Sequence, residues 1–327
     1  MSEELLDLPI VEELGAALVA GFRRREARRL RRPAVRAAAL VAAATGAVAV
    51  LLSQLGGGAV SPAEAAAARV LRTAAQAAVA HPERLPKPGQ FLFVRWRTVY
   101  LTPVVAGGGM IARGAERAPK AVVTTTFWDA WSATRVGRTN GRVLSVRFPT
   151  ASARALWVRL GRPRLVELAA PAGIEPSESI AVGRGGLTVR KLLALPPNAR
   201  VIDRRLFAGA VASNVLDYVR AIDLYPISAR LRAAVYRALT LVPGIRYEGR
   251  ARTLTGRVGV ALGAPDGLVR ADLIIDPRTG SVLGNRTVVI DSAATRLPAG
   301  TVVYEETVTE RAITDTAAPP EASRLRR

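Results

Sequence analysis

Apolar and polar positions divide the chain into stretches of different period. The first stretch has no period. From Ala37 to Ala63 it reads AAALVAAATGAVAVLLSQLGGGAVSPA, without a charge. A membrane-spanning helix needs about 20 mostly apolar residues. Ala37 to about Leu55 supplies them and Gly56-Gly57-Gly58 ends them, which predicts a transmembrane helix over 37–58. Ser61-Pro62-Ala63-Glu64 then reads as a capping box with Pro at the first helical position. The helix it opens runs to about Ala80, with Leu71, Ala75 and Val79 as an apolar stripe and His81-Pro82 as the stop.

From Gln90 to Leu101 the period drops to two. Leu92, Val94, Trp96, Thr98 and Tyr100 would share one face of a strand. A second strand is expected at Ala121–Trp131. Asn140-Gly141 reads as a hairpin turn between Arg135–Thr139 and Arg142–Phe148. Residues 149–187 carry the weakest pattern and read as loops with short elements. Helical spacing returns over Leu187–Leu195, Leu206–Asp223 and Ser228–Leu241, the last with Leu231, Val235 and Leu239 on one face and Pro243-Gly244 closing it. A β-meander follows, with strands at Gly244–Arg252, Gly256–Leu262, Leu268–Asp276, Ser281–Asp291 and Thr301–Arg311. Its turns, Ala264-Pro265-Asp266-Gly267 and Asp276-Pro277-Arg278-Thr279-Gly280, place Pro early and Gly late as short hairpin loops require.

The fold class implied is α+β: an N-terminal transmembrane helix, then an extracytoplasmic domain over 59–311. Strands at hairpin spacing favour a curved antiparallel sheet, with the helices packed on one face. The domain divides into candidate halves at 61–186 and 187–311. Residues 312–327 are polar and read as a disordered tail.

Charge orients the span. Arg23, Arg24, Arg25, Arg28, Arg29, Arg31, Arg32 and Arg36 precede it, with Glu26 the one acid among them. Positive charge stays in the cytoplasm, so residues 1–36 form a cytoplasmic segment and the rest lies outside a cell membrane crossed once. The alternative is export with a cleaved twin-Arg signal at Arg31-Arg32. The whole chain of 327 residues carries +21, of which +19 lies beyond residue 36. Outside the membrane, such charge suits anionic lipid or cell-wall polymer rather than nucleic acid. There is no Cys and a single His, His81. That excludes disulfide scaffolds, zinc ribbons and thiol nucleophiles, and leaves Ser-His-Asp catalysis resting on one helix-end residue.

Several segments resemble a family of uncharacterised actinobacterial single-pass membrane proteins, often encoded beside extracytoplasmic-function sigma factors. They are Val235-Tyr236-Arg237-Ala238-Leu239, Val242-Pro243-Gly244-Ile245, Gly256-Arg257-Val258-Gly259-Val260 and Ile274-Ile275-Asp276-Pro277-Arg278-Thr279-Gly280. Leu192-Leu193-Ala194-Leu195-Pro196-Pro197 resembles the family's upstream Leu-Pro motif, although Pro197-Asn198 stands where the family carries an acidic residue. The resemblance implies a fold and a sigma-factor context. It supplies no activity.

No acid pair stands out as a general acid and base. Asp276 reads as turn chemistry. Glu306 and Glu310 would share a solvated strand face with Tyr304 and Val308. Trp96, Trp128 and Trp131 form the one candidate ligand groove. No catalytic, cofactor-binding or metal-binding residue is expected. The function expected is non-catalytic: a membrane-anchored binding or sensing protein, with a protein partner in envelope signalling or sigma-factor regulation. The alternative is a carrier-like module holding a lipid or acyl chain in the curved sheet.

Overall fold

A computed structural model describes residues 61–104, 120–132, 135–165, 173–176, 181–182, 187–295 and 297–317. The expected span at 37–58, its arginine flank and the cytoplasmic segment lie outside the described residues. So does the end of the tail, 318–327. Among the described residues, no helix is long and apolar enough to cross a membrane.

Helix α1 (Pro62–Ala80) opens with both bonds of the capping box. The Ser61 Oγ accepts from the Glu64 backbone N–H, and the Ser61 N–H donates to Glu64 Oε2. Its Ala-rich inner face buries Ala67, Leu71, Ala74, Ala75 and Ala78. Val79, expected in that stripe, is exposed. Strands β1 (Phe91–Pro103) and β2 (Lys120–Trp131) pair antiparallel without a break in register.

The next strand departs from expectation. Arg135–Arg147 is one long strand, β3, paired with β2. Asn140-Gly141 is no hairpin turn. It sits where the β2–β3 register shifts, between Thr126 and Trp128. A side chain at Gly141 would collide with the Thr126 carbonyl oxygen. The glycine therefore serves a close approach at a bulge, a use its sequence signature shares with turns.

Helix α2 (Ala151–Arg159), capped by Thr150 through Ala153 N–H, occupies a region that carried no clear pattern. Short pieces follow: β4 (Gly173–Pro176), β5 (Ala181–Val182), β6 (Leu187–Thr188), α3 (Val189–Leu193) and α4 (Ala199–Ile202). Asn198 caps α4 by accepting from the Arg200 and Val201 N–H groups. A π-helical turn at Asp203–Phe207 and a left-handed Gly209 delay the next helix, so α5 spans Ala212–Asp223 rather than starting at Leu206. Helix α6 (Ala229–Leu239) is capped by Ser228 and buries Leu231, Val235 and Leu239, as its spacing predicts.

The meander supplies β7 (Arg246–Arg252), β8 (Val258–Asp266), β9 (Val269–Asp276), β10 (Ser281–Val289) and β11 (Val302–Thr314), with a single turn of helix, α7 (Ser292–Thr295), before the last. Strand β11 runs three residues past the expected end, so residues 312–314 of the expected tail are strand. All but β5 and β6 join one nine-stranded sheet in the order β4-β3-β2-β1-β11-β10-β9-β8-β7. The ladders in it are antiparallel. Strand β11, last in sequence, lies between β1 and β10. It thereby joins the strands of both candidate halves.

Helices α1, α5 and α6 pack their apolar stripes on one face, over Leu262, Ala264, Leu273, Ile275 and Val282. Helix α2 covers the far end of the same face through Leu156, Trp157 and Leu160 against Ala121 and Val123. Where the β9–β10 turn meets α1, Gly280 has φ +70°, and a side chain there would press on Ala74 and Ala78 of α1. Its carbonyl accepts the buried Tyr236 hydroxyl at 2.7 Å.

Candidate ligand-binding site

Between α5 and α2, the helix face of the sheet carries three cross-strand rows. Directly opposed residues of an antiparallel pair share a face, so the register fixes each row. In the first, Trp96 of β1 pairs with Phe127 of β2 and Val308 of β11. The Trp96 and Phe127 rings stack with centroids 6.1 Å apart and planes 20° apart. In the second, Thr125, Thr98, Glu306 and Asn285 follow one another across β2, β1, β11 and β10. In the third, Tyr100 pairs with Tyr304, which pairs with Thr287. All four members of the polar row are buried. The aromatic residues on either side, Trp96, Phe127, Tyr100 and Tyr304, are half-buried.

Glu306 is the charged centre. Its Oε1 accepts from Arg220 Nη1 of α5 at 2.8 Å, and its Oε2 accepts from the Tyr304 hydroxyl at 2.9 Å. Burial, then the Glu306 charge, push the Tyr304 hydroxyl well above its ordinary range. Burial alone pushes Tyr100 up to about 12. Asp217, one turn before Arg220, has an exposed side chain that the surrounding protein still dries. That desolvation, with the Asp266 and Glu306 charges, raises its carboxyl against the opposing pull of Arg220.

Three buried atoms in and beside the polar row find no hydrogen-bond partner among the described residues: Thr125 Oγ1, Asn285 Oδ1 and Arg220 Nε. Leaving a buried polar group unpaired costs about 1–3 kcal/mol. The row therefore holds unspent donor and acceptor capacity between two aromatic lips. Such an arrangement suits a ligand with one apolar face and several hydroxyl or amide groups.

The three tryptophans of the expected groove do not come together. Trp96 and Trp131 pair with Phe127 and Leu92 on the helix face, whereas Trp128 pairs with Arg95 and points to the other. Trp131 is core: it is buried in the helix-packed cluster with its ring edge-on to Tyr225 at 4.3 Å. Only Trp96 lies in the site. Glu306 and Glu310 do not share a face either. A bulge at Thr309 puts Glu310 opposite Arg95, with which it forms an ion pair, while Glu306 faces α5. The expectation of a solvated edge fails because β11 is a central strand. Period-two reading gave no sign of that, or of the bulge.

Two ionic clusters lie outside this site. On the helix face, Asp223 contacts Arg232 at 2.9 Å and Arg311 at 2.6 Å, and Arg232 also holds Glu83 at 2.9 Å. On the opposite face, the fully buried Asp272 side chain is held by Arg270 at 2.6 Å and Arg286 at 2.9 Å. Asp276 accepts from the Arg278 N–H, the turn role expected of it.

No family model matches the chain, and no curated protein matches it. Among solved structures, the chain resembles the complex of MucA and MucB from Pseudomonas aeruginosa, with 12% identity and a TM-score of 0.25 over 79% of this chain and 60% of that one. A structure of MucB in complex with the MucA(peri) segment gives 11% identity and TM-score 0.25, covering 78% and 58%. MucB alone gives 14% and 0.25, covering 79% and 62%. The chain thus spans about three-fifths of the length of these proteins. Likeness at that level assigns neither fold nor function to it.

Proposed function

We propose that the chain is a non-catalytic binding or sensing protein of the cell envelope, anchored by the segment 37–58, whose ligand sits on the polar row between the Trp96–Phe127 and Tyr100–Tyr304 lips. The observation that carries this reading is the row of four polar side chains centred on the Glu306 carboxylate and flanked on both sides by half-buried rings. Within the row, Glu306 is held by Arg220 and Tyr304, which suits a fixed charge in a binding site. An acyl carrier is disfavoured. The helix-covered part of this face is filled by side chains, and an acyl chain over the rest would bury the polar row without partners. The resemblance to proteins encoded beside sigma factors adds a protein partner in envelope signalling to the proposal.

The test is a thermal-shift and titration screen of the full chain against wall oligosaccharides, peptidoglycan fragments and phospholipids, repeated with Thr125→Val and Trp96→Ala. A ligand is expected to raise Tm of the native chain. Thr125→Val is expected to fold normally and weaken that ligand about tenfold, the worth of one hydrogen bond. Trp96→Ala is expected to abolish the shift. If both variants bind every ligand of the native chain equally well, the site is elsewhere.

A further inference from the structure

The strongest single-sign stretch of the chain lies at the opposite end of the sheet from α1. Between Asp129 and Glu167 there are eight Arg and no acid. Six of them, Arg142, Arg147, Arg154, Arg159, Arg162 and Arg164, are exposed on β3, α2 and the turn that follows. The pattern of α2 is doubly amphipathic. Ala153, Leu156, Trp157 and Leu160 face the protein. On the opposite side, Ala151, Arg154, Ala155, Val158 and Arg159 are exposed at helical spacing. Val158 is 46% exposed, and with Phe148 and Pro149 it lines a shallow groove open to solvent. Val143 and Leu144, on the strand leading into the helix, are exposed as well.

We propose that this β3–α2 corner docks on an anionic lipid bilayer, Val158 and its apolar neighbours entering the headgroup region while the surrounding Arg side chains pair with lipid phosphates. Charge complementarity selects the occupant. A solvent-facing apolar stripe rimmed by arginines, on a stretch of chain without an acid from residue 130 to residue 166, is the chemistry of an interfacial helix. Arg is suited to it because its aliphatic stem covers apolar surface while the guanidinium grips phosphate by two parallel bonds. The docking surface adjoins the polar row, since Val143 stands opposite Thr125 across β2 and β3, but its arginines and Val158 lie outside that row. Membrane anchoring is what brings it near a bilayer.

The chain has no cysteine, so Val158→Cys carries a single spin label without further engineering. The full chain is mixed with or reconstituted into vesicles of phosphatidylglycerol and phosphatidylcholine in equal parts, and into vesicles of phosphatidylcholine alone. Collision with oxygen against a water-soluble nickel relaxant then reports lipid or water around the label. Lipid exposure is expected only in the anionic vesicles, and it should fall as salt is raised. A label at Leu241, exposed after α6, should stay in water throughout. Arg142→Gln, Arg154→Gln and Arg159→Gln together should lower the docked-to-undocked ratio about a hundredfold, at about fivefold for each arginine. A label at position 158 that remains in water on anionic vesicles overturns the proposal. So does one that is immobilised without oxygen access, since protein then covers the groove. Sedimentation of the chain with the vesicles reads the anchor separately, so loss of anchoring and loss of docking are distinct results.

Discussion

Asp217 shows how position and electrostatics separate at a single residue. Its side chain is exposed on α5, yet desolvation and the charges of Asp266 and Glu306 raise its carboxyl, with Arg220 alone opposing. A carboxyl whose pKa is higher folded than unfolded destabilises the fold where it is ionised. That penalty disappears as pH falls through the raised value. Asp217→Asn is therefore expected to raise Tm at pH 7, with the gain fading as the buffer approaches the ordinary aspartate range. Thermal melts of both proteins from pH 7 to pH 4 check it, and a Tm lowered at neutral pH would contradict it. Nothing in the spacing of Asp217 sets it apart from other helix-surface acids. Its character depends first on the desolvation imposed by the packing around it, and then on charges distant in sequence, Asp266 and Glu306.

At the scale of elements, the α1 cap and the meander turns were legible because their chemistry is local, whereas Asn140-Gly141 carried a turn signature inside a strand. The Ser61 box, the Ser228 cap and the Gly267 and Gly280 turns stand where the residues place them. The cap of α1 also reaches beyond its helix, since Glu64 Oε1 accepts the Gly244 N–H just before β7. Ser61→Ala removes one capping bond and frees the Glu64 geometry. It is expected to cost about 1 kcal/mol, or roughly 2–4 °C in Tm for a domain of this size, as read by circular dichroism. Helix α2 was not legible. Its inner stripe is short, and on its outer side Ala155 and Val158 stand among Arg154 and Arg159, so the polar face is interrupted and the period blurred.

Over the whole molecule, the strand that closes the sheet also closes its ionic network. Arg311 of β11 reaches Asp223 at the end of α5 and Glu83 in the connection after α1, and Arg232 of α6 joins both carboxylates. Four separate segments are thereby held at one point. For Glu83, burial raises the carboxyl, but Arg311 and Arg232 more than offset it and hold it below the ordinary range. Its stabilisation is therefore complete above the unfolded value of about 4.3 and is lost as pH falls through the lowered folded value. Glu83→Gln should lower Tm at pH 7, with the difference from the native chain closing below about pH 4, opposite in sign to Asp217→Asn. Asp223→Ala leaves two arginines without their buried partner and is expected to cost about 3–5 kcal/mol, measured by urea unfolding. Equal urea midpoints for Asp223→Ala and the native chain would show that the network contributes nothing.

The amino-acid order by itself determined helices α1 and α6, strands β1 and β2 and the antiparallel meander. Each of these rests on contacts within a few residues: alternation, capping and turn chemistry. It also determined the acid-free run between Asp129 and Glu167. Tertiary structure alone decided that β11 returns to lie beside β1, because that pairing joins residues more than 200 positions apart and leaves no local mark. That return buries Glu306, aligns it with Thr98, Thr125 and Asn285, and sets Arg220 above it. The β1–β2 register, by contrast, is what sets Trp128 and Trp96 on opposite faces. A polar row built from four strands exists only once the strands are side by side, since each contributes a single unremarkable residue.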